Sequence, residues 1–183
     1  MSSVTRYLPH YTVADYLQWE GDWELWFGTA VAMSPSPFGP HERAVIEFVD
    51  QIRGSIKRHP CDCRVYAGLD WIVHEDTVVR PDVMLVCGDQ PDRHLERPPN
   101  LIVEVVSSST ELKDRKEKRS LYEEQGVEVY LIADSASKSI SWFALNEGPT
   151  YIELTSQISA NGEFRVCLKN GCDILFNRIE VFS

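Results

Sequence analysis

The chain has 183 residues, of which 43% are hydrophobic and 25% charged, so it can bury a sizeable core without staples and is expected to form a single domain over 1–183. No apolar run approaches the length of a membrane span, and Met1-Ser2-Ser3-Val4-Thr5-Arg6 lacks the apolar core of a signal peptide, so a cytoplasmic protein without membrane association is expected. A formal net charge of −10 argues against indiscriminate nucleic-acid binding, which draws its affinity from Lys and Arg, but not against a site in which carboxylates gather around a cation.

Thr12-Val13-Ala14-Asp15 has the hydroxyl and the acid of a helix start and leads into Tyr16, Leu17 and Trp19. Trp23 to Phe27, then Gly28-Thr29 and Ala30 to Met33, form an aromatic-rich hairpin with glycine at the turn. Ser34 to Pro40 is a proline-broken loop. From His41 to about Arg58, Ala44, Val45, Phe48, Val49, Ile52 and Ile56 recur at helical spacing, which predicts an amphipathic helix against a sheet.

Val65-Tyr66, Trp71 to Val73, Val78-Val79, Val83 to Val86 and Leu101 to Val106 follow as strands, with a surface loop from Gly88 to Asn100. Ser107 to Thr110 supplies capping hydroxyls for a helix from Thr110 to Gln125, which Gly126 stops. Val129 to Ala133 is the next buried strand, and strand, helix, strand at this spacing implies a parallel crossover. Ser139 to Leu145, Tyr151 to Thr155, Phe164 to Leu168 and Asp173 to Phe176 form a closing antiparallel set.

The five cysteines, Cys61, Cys63, Cys87, Cys167 and Cys172, are odd in number and suggest reduced thiols. His59, Cys61, Cys63 and His74 could suggest zinc, but no second pair stands at finger-like spacing.

The chemistry centres on two acids set against apolar runs. Asp82 follows Arg80-Pro81 and precedes Val83 to Val86, so it stands where the chain enters a core strand; its plain alternative is a strand-edge acid facing water. Glu104 interrupts Leu101 to Val106, where both faces are apolar, and such a residue needs a partner when buried. A salt bridge to Arg80 or Lys118 would serve, and so would a metal. Hard divalent cations take carboxylate and backbone oxygens, so Asp82, Glu104 and the carbonyl of Val105 would suffice for magnesium or manganese.

Asp114, Lys118 and Tyr122 stand at successive four-residue steps and line one helix face, where Lys118 could orient a nucleophile and stabilise a phosphoryl transition state. The alternative is a solvated face, since Glu111, Lys113, Arg115, Lys116, Glu117 and Arg119 are also charged. Tyr122 could bond a phosphate or pack beneath the sheet. His41, near a helix start, could meet an anion or cap the helix.

The run Val103-Glu104-Val105-Val106-Ser107-Ser108-Ser109-Thr110, with Asp114, Lys118, Tyr122, Gly126-Val127 and Val129 to Asp134, resembles the Uma-type family of restriction endonucleases, a branch of the PD-(D/E)XK nuclease superfamily. Trp23-Glu24-Leu25-Trp26-Phe27-Gly28, Met33-Ser34-Pro35 and His41 match the amino-terminal pattern of that family. The resemblance implies an α/β fold, a restriction-endonuclease-like mixed β-sheet flanked by helices with additional antiparallel strands. It implies Asp82 and Glu104 as metal ligands, Lys118 as the catalytic lysine moved from strand to helix, and Glu24 as an early acid that touches the metal through water. The sequence departs from the common pattern at Val106, where most of the superfamily has the lysine, at Ser108, where proline is usual, and at Val129-Tyr130-Leu131, where Glu-Tyr-Trp is common.

The resulting expectation is a DNA endonuclease dependent on magnesium or manganese, with Asp82, Glu104, Lys118 and Glu24 catalytic and Asp114, Tyr122 and His41 in support. Its rivals are an inert binding module that keeps the nuclease fold and a phosphodiesterase of small nucleotides. The aromatic residues Trp19, Trp23, Trp26 and Phe27 suggest a self-association surface and a homodimer with two sites for a duplex.

Overall fold

The computed structural model describes residues 9–33, 39–106, 112–145 and 147–183, with residues 112–115 described by backbone alone. Its centre is a six-stranded sheet made of β3 (Cys63–Ala67), β6 (Val83–Cys87), β7 (Leu101–Val106), β8 (Val129–Asp134), β9 (Ser139–Leu145) and β10 (Tyr151–Glu153). The spatial order is β10-β9-β8-β7-β6-β3. Only β7 and β8 run parallel, joined by α3 (Leu112–Glu124) as the crossover. The other neighbours in this sheet pair antiparallel.

Alternation along the central strands divides the core. Val83, Leu85, Leu101, Val103, Val105, Val129, Leu131 and Ala133 face one side, where Ala44, Phe48 and Ile52 of α2 (Gly39–Arg58) cover them. Met84, Val86, Ile102, Val106, Tyr130 and Ile132 face the other, under Leu121 and Tyr122 of α3. Both faces are therefore filled, and a polar residue in β7 is enclosed whichever way it points.

A second sheet has the order β2-β1-β5-β4, formed by β1 (Trp23–Trp26), β2 (Thr29–Ala32), β4 (Trp71–His74) and β5 (Thr77–Val79). Phe27 and Gly28 make the β1–β2 turn with φ of 47° and 77°, the left-handed backbone of a two-residue hairpin. A side chain at Gly28 would also strike the His10 ring. Tyr16, in α1 (Val13–Tyr16), packs beneath this sheet with Leu25 and Val78.

Several expectations are amended. Helix α2 begins at Gly39, so Gly39 and Pro40 belong to it; a proline in the first turn loses no hydrogen bond, because those N–H groups have no partner in the helix. The closing strands do not form one set: β9 and β10 extend the main sheet, while β11 (Glu163–Cys167) and β12 (Asp173–Asn177) pair as a separate hairpin packed against α2. The short α4 (Arg178–Val181) ends the chain, capped by the Asn177 side chain.

The cysteines are not all reduced. Cys61 is bonded to Cys172 across 111 residues and Cys63 to Cys87, leaving Cys167 free. An odd count could not reveal these pairs, because the topology and not the spacing brings them together. Nor do the aromatic residues make one open surface. Trp19 and Trp23 are half-buried in edge contacts with Tyr16 and with one another, and Trp26 packs toward the second core. Phe27 is exposed, at 59%. The caps expected at Ser107 to Thr110 and the departure at Ser108 lie outside the described residues.

Candidate active site

Glu104 is the fourth residue of β7, and the alternation that sends Ile102 and Val106 toward α3 sends Glu104 the same way. Glu104 is 6% exposed as a residue, in a layer of Tyr, Leu and Val. Its Oε1 accepts from the Tyr122 hydroxyl at 2.7 Å and from Lys118 Nζ at 3.1 Å. Lys118 and Tyr122 lie one helical turn apart on α3, so both reach down onto the same strand position. Burial pushes the Glu104 pKa upward; Lys118 and the Tyr122 hydroxyl oppose that, Asp82 and Glu24 add to it, and the group settles at about 7. The Tyr122 phenol is raised well above its usual range, first by burial and then by Glu104.

Lys118 bridges two acids. Its Nζ lies 3.3 Å from Glu24 Oε1 as well as 3.1 Å from Glu104. Burial would favour loss of its proton, but Glu104, Glu24 and Asp82 outweigh that and hold its pKa above the ordinary lysine value. Glu24, 7% exposed, comes from β1 of the other sheet and is fixed twice: Trp26 Nε1 donates to Oε2 at 2.9 Å, and the Arg80 backbone N–H donates to Oε1 at 2.9 Å. Glu24 is thus a buried, doubly held acid and not an exposed hairpin residue.

Asp82 stands one residue before β6. In the β6–β7 register Val83 faces Val103, so one further step sets Asp82 beside Glu104. Its Oδ2 accepts from the Val105 N–H at 2.7 Å and lies 3.4 Å from His41 Nε2. The hydrogen bond to Asp82, above all, raises the His41 pKa against the opposing effect of burial. His41 therefore faces the acid and does not cap its helix.

Glu24, Asp82, Glu104, Val105, His41 and Lys118 line one cleft of about 590 Å³, with Trp26, Phe27, Val31 and Met33 forming an apolar wall. Glu117 lines it too, so among the described residues four carboxylates there face a single lysine. Such an assembly has the oxygen donors that hard divalent cations take and lacks the positive charge needed to admit a phosphodiester unaided. A cation set among Asp82 and Glu104 would offset the burial, and the lesser repulsion from Asp82 and Glu24, that together raise the Glu104 pKa.

The structure thus brings Asp82, Glu104, Lys118, Glu24, Tyr122, Val105 and His41 together, while the side chain of Asp114 lies outside the described residues. Arg80, offered as a partner for Glu104, turns away: its Nε meets Asp70 at 2.6 Å and its Nη1 meets Asp22 at 2.6 Å. Trp26 and Glu117 were not among the expected residues. The i, i+2 spacing of Glu24 and Trp26, both on one face of a strand, was the signal for the first. Glu117 carried none, being one of many charges on α3.

A mixed sheet with one acid before an inner strand, a second in the adjoining strand and a lysine above them is a nuclease-type architecture. The family model described as "Putative restriction endonuclease", Uma2, matches residues 13–165, and the chain belongs to that family. No curated protein matches it. Among solved structures, a crystal structure titled as a "putative nuclease" of DUF820 from Anabaena variabilis ATCC 29413 superposes with a TM-score of 0.73. It is 14% identical, covering 94% of this chain and 98% of that one, a likeness of fold.

Proposed function

We propose that the chain hydrolyses phosphodiesters of DNA with the help of a divalent cation, magnesium or manganese. The observation that carries this reading is the convergence of two buried carboxylates, Glu104 and Glu24, on one ammonium within 3.3 Å, with Asp82 beside them in an open cleft. Structural ion pairs bury two charges that cancel; this cluster leaves surplus negative charge where a solvent-accessible cation can neutralise it.

Asp82, Glu104 and the Val105 carbonyl would hold the cation, with Glu24 reaching it through water. When bound, the cation supplies a more acidic water and neutralises charge on the phosphoryl group. Lys118 then presents N–H donors to the attacking water and the phosphoryl oxygens, and its raised pKa keeps it protonated for that task. Tyr122 holds Glu104 Oε1 so that the second carboxylate oxygen remains for the cation. His41 holds Asp82 from the side, and the Val105 N–H fixes the same oxygen. Trp26 and Phe27 give one flank of the cleft an apolar wall.

The direct assay is relaxation of supercoiled plasmid with magnesium or manganese by the wild type and by Asp82→Ala, Glu104→Ala and Lys118→Ala. Loss of cleavage in each folded variant supports the reading, and unchanged cleavage in all three removes it. The net charge of −10 favours a second reading, a phosphodiesterase of small nucleotides, for which no extended basic groove is needed. Faster turnover of a chromogenic phosphodiester than of plasmid would favour it. Pairing of two copies of the chain would present two clefts to a duplex, and a monomeric mass in light scattering would contradict that part.

A further inference from the structure

Away from the acid cluster, four of the five cysteines converge from four segments of the chain. Cys61 lies in the connection after α2, Cys63 opens β3, Cys172 lies in the turn before β12, and the three Sγ atoms are all within 4.8 Å of one another. Cys87, the last residue of β6, faces Cys63 in register and is bonded to it. Among the described residues, neither His59 nor His74 joins these sulfurs.

We propose that Cys61, Cys63, Cys87 and Cys172, once reduced, form a tetrathiolate zinc site that fastens the β3–β6 edge of the main sheet to the β11–β12 hairpin. Ligand type and number are those of a closed structural zinc site. Four sulfurs tetrahedrally placed at ~2.3 Å from zinc stand ~3.8 Å apart, close to the spacing of the trio within 4.8 Å; Cys87 lies outside that trio and, once its bond to Cys63 is broken, would turn in as the fourth ligand. Cys63 and Cys172 are buried, and thiolates crowded there without a cation would be costly.

The surrounding backbone is already fixed. The Cys172 N–H donates to Asn170 Oδ1 at 3.0 Å, and the Cys87 N–H donates to Asn100 Oδ1 at 2.9 Å. Asn170 also directs Nδ2 at Cys63 Sγ, 3.3 Å away, an outer donor of the kind that steadies a metal-bound thiolate. Asp82 precedes β6 and Cys87 ends it, so about 17 Å of strand separates this cluster from the acids. The two sites therefore use separate ligands.

The conversion balances with a dithiol as reductant. Two equivalents each give two electrons and two protons, break the Cys61–Cys172 and Cys63–Cys87 bonds, and leave as cyclic disulfides, yielding four thiols. Zinc(II) then displaces four protons and forms four Zn–S bonds with no change of oxidation state.

The test uses the full chain, reduced with dithiothreitol and desalted without oxygen. Cobalt(II) should produce thiolate charge-transfer absorption and tetrahedral d–d bands that saturate at one equivalent and bleach on adding zinc. Elemental analysis should then give one zinc per chain. Cys172→Ser should weaken zinc at least ~100-fold, since even outer-shell changes cost ~10–100-fold. Cys167→Ser, which removes the free exposed thiol, and Asp82→Ala should leave the cobalt spectrum unchanged. Absence of tetrahedral bands in the reduced wild-type chain, or thiols that react with Ellman's reagent equally fast with and without zinc, would overturn the proposal, and neither result depends on any variant folding.

Discussion

Lys118 Nζ lies 3.1 Å from Glu104 Oε1 and 3.3 Å from Glu24 Oε1, so one ammonium links α3 to strands of two different sheets. Removing it leaves two buried carboxylates facing one another. Breaking a buried pair in this way costs about 3–5 kcal/mol. Lys118→Ala is therefore expected to unfold at markedly lower urea than the wild type in the absence of divalent cations, and to recover part of that loss with millimolar manganese. The same variant should cleave plasmid at least ~100-fold more slowly, the scale of a lost transition-state donor. Urea titration with and without manganese checks the first part, and equal midpoints for variant and wild type would refute it.

The pH dependence follows from Glu104. Its pKa, about 7 in the folded chain, lies above the 4.5 of an exposed glutamate, so the folded state binds more protons than the unfolded one between those values. This group accordingly lowers stability as pH rises from 4.5 to 7, in the apo protein. Cation binding requires the ionised form, so manganese affinity should rise as pH climbs through about 7 and level off above it. Calorimetric titration at pH 6 and 8 would measure the difference. Equal affinities at the two values, or loss of the dependence in Tyr122→Phe alone, would place the titrating group elsewhere.

His41 tests the Asp82 side of the cleft. Its pKa is raised by Asp82, so the pair contributes stability that is fully present below the ordinary histidine value and lost as pH rises through the folded pKa. His41→Gln should destabilise the chain more at pH 5.5 than at pH 8.5, by about 1 kcal/mol for a half-buried pair. Thermal unfolding at both values reads the effect, and an equal loss at the two would show that only packing was removed.

Much of this was legible from residue types alone. Strand alternation and helical spacing, both local rules, set Asp82 and Glu104 beside apolar runs and Lys118 and Tyr122 on one helix face, but left a strand-edge acid and a solvated face open; the resemblance to the family is what joined them into one site. The enclosure of Glu104 followed from Leu101 to Val106 being apolar on both faces, as the filled sheet shows. What escaped depends on contacts far apart in the chain. Arg80 binds Asp70 and Asp22 through geometry that the β5–β6 connection sets, and Cys61 meets Cys172 only because the β11–β12 hairpin folds back beside α2. His41 left an anion contact and a helix cap open; the position of α2 relative to β6 aims it at Asp82.

Glu24 offers a further check, since β1 delivers it from the second sheet and Trp26 Nε1 pins its Oε2. Trp26→Phe keeps the ring and removes that donor. Metal-dependent cleavage should fall ~10-fold with little change in stability, the low end of the range for a lost outer-shell hydrogen bond. A parallel collapse of folding, followed by tryptophan fluorescence and urea titration, would instead assign Trp26 a packing role.

Hydrolysis in this cleft requires a cation between Asp82 and Glu104. A crystal soaked in manganese and measured at its absorption edge tests it most directly. One anomalous peak is expected within coordination distance of carboxylate oxygens from both residues, absent from Glu104→Gln. Manganese bound elsewhere on the chain, with Lys118 still bridging Glu104 and Glu24 and no peak beside Asp82, would contradict it.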